Sequence, residues 1–152
     1  MRGLRTGSAK VENPRSEIPI TEFATAFEHA PVGMAITDEA AILLHANRAL
    51  AEMLGYEPRD LVGKSVVDLT HPDDLAASLA SNQRLSRGDV THFSLEKRYL
   101  AKGGSIVWAR VYVSLLTEGG RRHHLLHAVD VTREKASVDG LREAEQRFRE
   151  MA

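Results

Sequence analysis

The chain has 152 residues, of which 43% are hydrophobic and 27% charged, with a formal net charge of −1; that balance belongs to one globular domain and excludes a disordered or membrane-embedded chain. A pI of about 6.7 excludes the concentrated positive field that a nucleic-acid backbone demands, so no nucleic-acid partner is expected. The absence of cysteine removes disulfides, thiolate nucleophiles, cysteine-held zinc and iron–sulfur clusters.

Residues 1–18 mix Gly, Ser, Asn, Pro and charges without periodicity and read as a flexible leader, or as a segment added for expression. Arg2 and Arg5 are not followed by an apolar run, so no secretory signal is read there. The most apolar stretch, Ala40 to Leu54, is broken by His45, Asn47, Arg48 and Glu52, short of the ~20 apolar residues of a spanning helix. A cytoplasmic protein without membrane insertion is the expectation.

A first helix is predicted from Thr21, with Phe23, Ala24 and Phe27 forming an apolar stripe. Val32–Thr37 and Ala41–Ala46 read as a hairpin turning at Asp38 and Glu39. Asn47 is placed to cap a helix over Arg48–Leu54, and Gly55 to end it in the left-handed conformation. Pro58 and Gly63 bracket one more helical turn, and Pro72, Asp73 and Asp74 open a helix running to about Leu85.

Beyond Arg87 and Gly88 the pattern turns to strands at about His92–Ala101, Ser105–Leu116 and Arg122–Val131, separated by Gly103-Gly104 and Gly119-Gly120: an antiparallel meander. In the middle strand Val107, Ala109, Val111, Val113 and Leu115 share one face, which must look at the core. The other face carries Ile106, Trp108, Tyr112 and Leu116 and is too apolar to face bulk water. From Arg133 helix formers take over, and Leu141, Ala144, Phe148 and Met151 follow heptad spacing. With under three heptads this helix is marginal alone, and its natural partner is a second copy.

The order of these elements resembles a PAS domain, and so does the local wording over about residues 22–134. Phe27-Glu28-His29-Ala30-Pro31-Val32-Gly33-Met34 is similar to that family's opening segment, and Ala46-Asn47-Arg48-Ala49 to its strand-to-helix asparagine. Leu54-Gly55-Tyr56, Leu61-Val62-Gly63-Lys64 and His71-Pro72-Asp73-Asp74 follow in the family's order. Glu96-Lys97-Arg98-Tyr99 with Gly103-Gly104 and Trp108 resembles its hairpin, and Asp130-Val131-Thr132-Arg133-Glu134 its exit. Gly103 departs from the pattern, many relatives having an aspartate there.

The resemblance implies an α+β PAS fold: a five-stranded antiparallel sheet with short helices on one face, an N-terminal helix and a C-terminal signalling helix. It divides the chain into the leader 1–18, a sensory domain 19–134, and 135–152 as the start of a coiled-coil linker to an effector beyond the chain. That effector would be a histidine kinase, a cyclic-dinucleotide synthase or hydrolase, a phosphatase or a transcription factor. The implied function is a sensory module that dimerises and relays a small ligand or redox state; the alternative is a ligand-free dimerisation scaffold with a filled core. No phosphate-cradling loop, nucleophile elbow or metal pair at i,i+4 spacing is read in the sequence, so no catalytic residue and no metal ligand is assigned.

Without cysteine no chromophore is held covalently, and a long helix with no histidine beyond His71 argues against haem; the cofactor is left open, with a flavin, a small metabolite or none compatible with the sequence. Met34, Ile36, Met53, Leu54, Leu69, Leu79, Leu95, Val111, Val113 and Leu126 are the candidate pocket residues. Asp130, Val131 and Thr132 are the candidate relay, with Asp130 or Thr132 capping the exit helix. Phe23, Phe27, Ile106, Trp108, Tyr112, Leu141 and Phe148 are the candidate homodimer surface. His123, His124 and His127 read as a strand surface and not a metal site, because His123 and His127 would lie roughly 13 Å apart on one face while His124 points the other way.

Overall fold

The computed structural model describes residues 20–151, and the expected leader lies outside them. Helix α1 (Ile20–His29) leads into β1 (Gly33–Thr37) and β2 (Leu43–Ala46), followed by α2 (Arg48–Leu54), α3 (Pro58–Leu61), α4 (Val66–Leu69) and α5 (Pro72–Ser86). The meander is β3 (His92–Leu100), β4 (Ile106–Glu118) and β5 (Arg121–Asp130), and α6 (Thr132–Glu150) follows. The five strands form one antiparallel sheet in the order β2-β1-β5-β4-β3.

The local causes are visible residue by residue. Asn47 caps α2 by accepting the N–H of Leu50, and Gly55 ends it at φ 75°, where a side chain would be strained. Gly119 and Gly120, at φ 57° and 75°, give β4 and β5 the tight turn that matches strand twist. Gly33 is required by contact: a Cβ there would stand 3.2 Å from the Leu50 Cα and from the Ala128 carbonyl oxygen.

One element was not anticipated. The turn α4 has Val66 and Val67 in sequence, weak helix formers, and is held by its surroundings. Ser65 Oγ accepts the N–H of Val67, and Val66 N–H donates to the Ala41 carbonyl. Just before it, Leu43 N–H donates to Lys64 and Gly63 N–H to Leu43, so this segment covers the open edge of β2.

Helices α2 to α5 pack on one face of the sheet, and the core lies between. Leu43, Leu50, Leu54, Leu61, Leu85 and Tyr99 are among its fully buried side chains. Strand β4 turns Val107, Ala109, Val111 and Val113 inward. Its outward face meets α6, while α1 packs against α2, and neither helix buries a residue of its own.

Candidate functional site

The cup between sheet and helices is lined by aligned rows of paired residues. Ala35, Leu126, Val113 and Phe93 form one row and Gly33, Ala128, Val111 and Leu95 the next. Of the expected pocket residues, Leu54, Leu69, Val111, Val113 and Leu126 are buried here, and Met53 and Leu95 pack half-buried against them. Three do not belong. Met34 and Ile36 lie in the opposite phase of β1, paired with His127 and Leu125 on the outer face. Leu79 is 37% exposed, because α5 turns Ser78 and Leu85 inward instead.

The cup also contains polar groups that the pocket expectation lacked. Lys97 is 2% exposed, and its Nζ donates to Thr70 Oγ1 and Ser78 Oγ, each at 3.1 Å. The ammonium also stands 4.7 Å from the centre of the Tyr99 ring, a cation–π contact. Burial pulls its pKa down to about 8, against a smaller opposite pull from Asp74. Tyr99 Oη is buried with no hydrogen-bond partner among the described residues, and burial pushes its pKa up.

His124, expected on the strand surface, is 2% exposed and points into the cup. Its Nε2 hydrogen-bonds Ser86 Oγ at 3.0 Å, and burial holds the imidazole below its ordinary pKa. His123 and His127 are on the outer face, half-buried. Two small voids remain in the cup. One, of about 20 Å³, is lined by Thr37, Ser78, Asn82, Phe93, Lys97 and His124 among others. The other, of about 10 Å³, is apolar apart from Tyr99, between Leu43, Leu50, Leu54 and Leu69.

At the β3 edge and on the outer face charge and aromatic groups tie the sheet to its helices. Asp74, at the start of α5, accepts the backbone N–H of Arg98 at 2.7 Å and its Nε and NH2 at 3.0 and 2.9 Å. The fork of Arg98 holds the Asp74 carboxyl below its ordinary pKa. Glu96 pairs with Lys135 of α6 at 2.6 Å and with Arg110 at 2.9 Å. Trp108, expected at an interface between copies, is engaged within the chain: Arg98 and Lys135 stand 5.0 and 4.8 Å from its ring centre.

The junction after β5 is bonded to the middle strand. Val131 N–H donates to the Trp108 carbonyl at 2.8 Å, and Trp108 N–H donates to Thr132 Oγ1 at 3.0 Å. Asp130 Oδ1 accepts the N–H of Thr132 at 2.9 Å. Val131 occupies the cap position, so of the two expected caps Asp130 serves the first N–H of α6 from one residue further out, and the Thr132 hydroxyl reaches the sheet instead.

This sheet order, the asparagine junction and the strand-to-helix exit are features of one known architecture, and comparison with known proteins agrees. The sequence profile of the PAS fold matches residues 21–130. The chain belongs to the PAS family. Its PAS domain is 34% identical over 113 residues to a probable diguanylate cyclase of Escherichia coli, DgcE, covering 73% of this chain and 10% of that protein. It is 29% identical over 122 residues to the sensor histidine kinase TmoS of Ectopseudomonas mendocina, covering 79% and 12%. The chain thus spans only about a tenth of the length of these relatives. Among solved structures, a PAS domain from Colwellia psychrerythraea superposes with a TM-score of 0.68 at 20% identity, covering 74% of this chain and 97% of that one.

The α+β fold with a five-stranded antiparallel sheet is therefore that of a PAS sensory module, as the motif order implied. No helix of the described residues is long and apolar enough to cross a membrane.

Proposed function

We infer that this PAS module works as a homodimer and relays the state of its cup to an effector domain that follows α6 in a longer cytoplasmic protein. One observation carries the reading: the exit helix is bonded directly to β4, the strand whose inner face lines the cup. Trp108 exchanges hydrogen bonds with Val131 and Thr132, while its strand neighbours Val107 and Ala109 face the interior. A repacking of the cup that shifts β4 must then carry the first turn of α6 with it. Asp130, Val131 and Thr132 form the relay, and catalysis belongs to the effector. Relatives named as a diguanylate cyclase and a sensor kinase indicate the kinds of effector this module serves.

The second copy would cover apolar surface that one copy leaves open. Phe23, Ile106, Tyr112, Leu141 and Phe148 are exposed, Phe148 by 75%, and with half-buried Phe27 they constitute the dimer surface. Trp108 is left to the intramolecular stack. A groove of about 580 Å³ beside α1, bordered by Phe23, Phe27, Ile36, His45 and Val62, extends the same apolar surface. Voids of about 20 and 10 Å³ favour a small ligand over a flavin.

Sedimentation velocity over a concentration series tests the reading. The chain is expected to form a dimer that Phe23→Glu combined with Phe148→Glu disrupts. A monomer persisting to ~1 mM, where even the weakest specific association would register, overturns it.

A further inference from the structure

Resting on the sensory reading above, we propose that the cup binds a small monocarboxylate, of formate to acetate size, with Lys97 as its counter-charge. Lys97 is anomalous in the molecule. Its ammonium is buried, yet its hydrogen-bond partners are two neutral hydroxyls, and none of the ion pairs among the described residues includes it. Asp74 acts on it from a distance, but that carboxylate is taken by three bonds to Arg98. A buried cation without an adjacent anion is costly, and the cost is recovered when an anion shares its enclosure.

The void beside Lys97 provides the place. At about 20 Å³ it is little larger than the ~10–15 Å³ that one water needs, so a formate or an acetate enters only as the surrounding side chains move apart, and a nucleotide or a flavin is far too large. Its walls supply the two kinds of contact a short carboxylate uses. Lys97, Ser78, Thr37 and Asn82 present polar groups, while Phe93 and Val113 present apolar surface for a methyl group. Ser78 already touches the ammonium, so one carboxylate oxygen can accept from both. The site lies under β4, so occupancy bears on the strand that carries the exit helix.

The test uses the intact chain with sodium formate and sodium acetate, against sodium chloride at matched ionic strength, read by amide chemical shifts and by thermal melting. The same titrations are run on Lys97→Met, which keeps the length of the side chain and removes its charge, and on Ser78→Ala. Saturable shifts are expected at the amides of Ser78, Lys97 and His124, with Tm rising by about 10 °C at ~100 times Kd. Lys97→Met is expected to abolish both effects, and Ser78→Ala to weaken binding about tenfold. If Lys97→Met does not fold, the wild-type shifts and Ser78→Ala decide.

Equal responses to chloride, no saturable shift with either carboxylate, or binding unchanged in Lys97→Met or Ser78→Ala would each overturn the assignment. The mass of the species in the same samples separates the two readings. A dimer that ignores carboxylates removes this inference and leaves the dimeric module, whereas a monomer that binds them does the reverse.

Discussion

The hydroxyl of Thr132 accepts the backbone N–H of Trp108 at 3.0 Å, so the first residue of α6 supplies a hydrogen bond to the middle of the meander. Replacing it by valine keeps the shape of the side chain and leaves that N–H unpaired. Thr132→Val is expected to lower stability by about 1–3 kcal/mol, measured by urea denaturation, and to raise hydrogen exchange at the Trp108 amide. Thr132→Ser should restore both; if valine is neutral in both measurements, the junction is not held by this bond.

Asn47 uses all of its hydrogen-bonding capacity with no exposure to water. Its Oδ1 accepts from Met34 and Leu50, and its Nδ2 donates to the carbonyls of Phe27 and Val32, so it joins the end of α1, the start of β1 and the cap of α2. Asn47→Ala is expected to cost about 3 kcal/mol or more, because several buried backbone groups lose their partner together. Asn47→Asp preserves the accepting half only and should also destabilise. A shift of the urea midpoint no larger than that of an ordinary surface substitution would refute this account.

The pH dependence of stability follows from the buried bases. Lys97 has a folded pKa of about 8 against 10.5 unfolded, so between those values the unfolded chain holds more protons. Stability should therefore rise as pH increases from about 8 to 10.5, by up to about 3 kcal/mol, and Lys97→Met should flatten the rise. His124 and Asp74 are both held below their ordinary values. Their contributions are present above those values and lost as pH falls, for His124 on acidification below about 6.5 and for Asp74 below about 4. Urea titrations of the parent and Lys97→Met across this range check both signs.

Glu96 pairs with Lys135 of α6 and with Arg110 of β4, both in solvent reach. Global unfolding should barely respond to Glu96→Gln, since exposed pairs contribute little, while amide exchange in the first turns of α6 should increase. High salt should produce the same local loosening in the parent and little more in the variant. Identical exchange in the two proteins at low salt would mean that the pair does not restrain the helix.

Elements with their own punctuation were legible from sequence: Asn47 and Gly55 bracket α2 as read, Pro72 opens α5, and paired glycines mark the turns of the meander. The turn α4 was not, because its valines are held helical by the Ala41 carbonyl ahead of β2 and by the Ser65 hydroxyl. Met34 and Ile36 were the expected inner residues of β1. Its inner face belongs to Gly33, Ala35 and Thr37, because α2 crosses close enough to leave no room for a larger side chain at Gly33. Lys97 was legible in principle: it pairs with Ala109, a residue of the aliphatic inner face, and so had to point inward.

The sheet order sets when the domain can exist. Strand β1 finds its inner neighbour in β5, with Thr37 opposite His124, roughly 90 residues later in the chain. At synthesis rates of about 5–20 residues per second, the first hairpin must wait seconds beside the ribosome for the strand that completes its pairing. The meander, closed by short turns, has no such delay and is the part able to assemble first. A ribosome paused before Arg121 would therefore have made β1 with β2 and β3 with β4 but not the β5 that joins the two pairs, and that interval is when this protein most needs a chaperone.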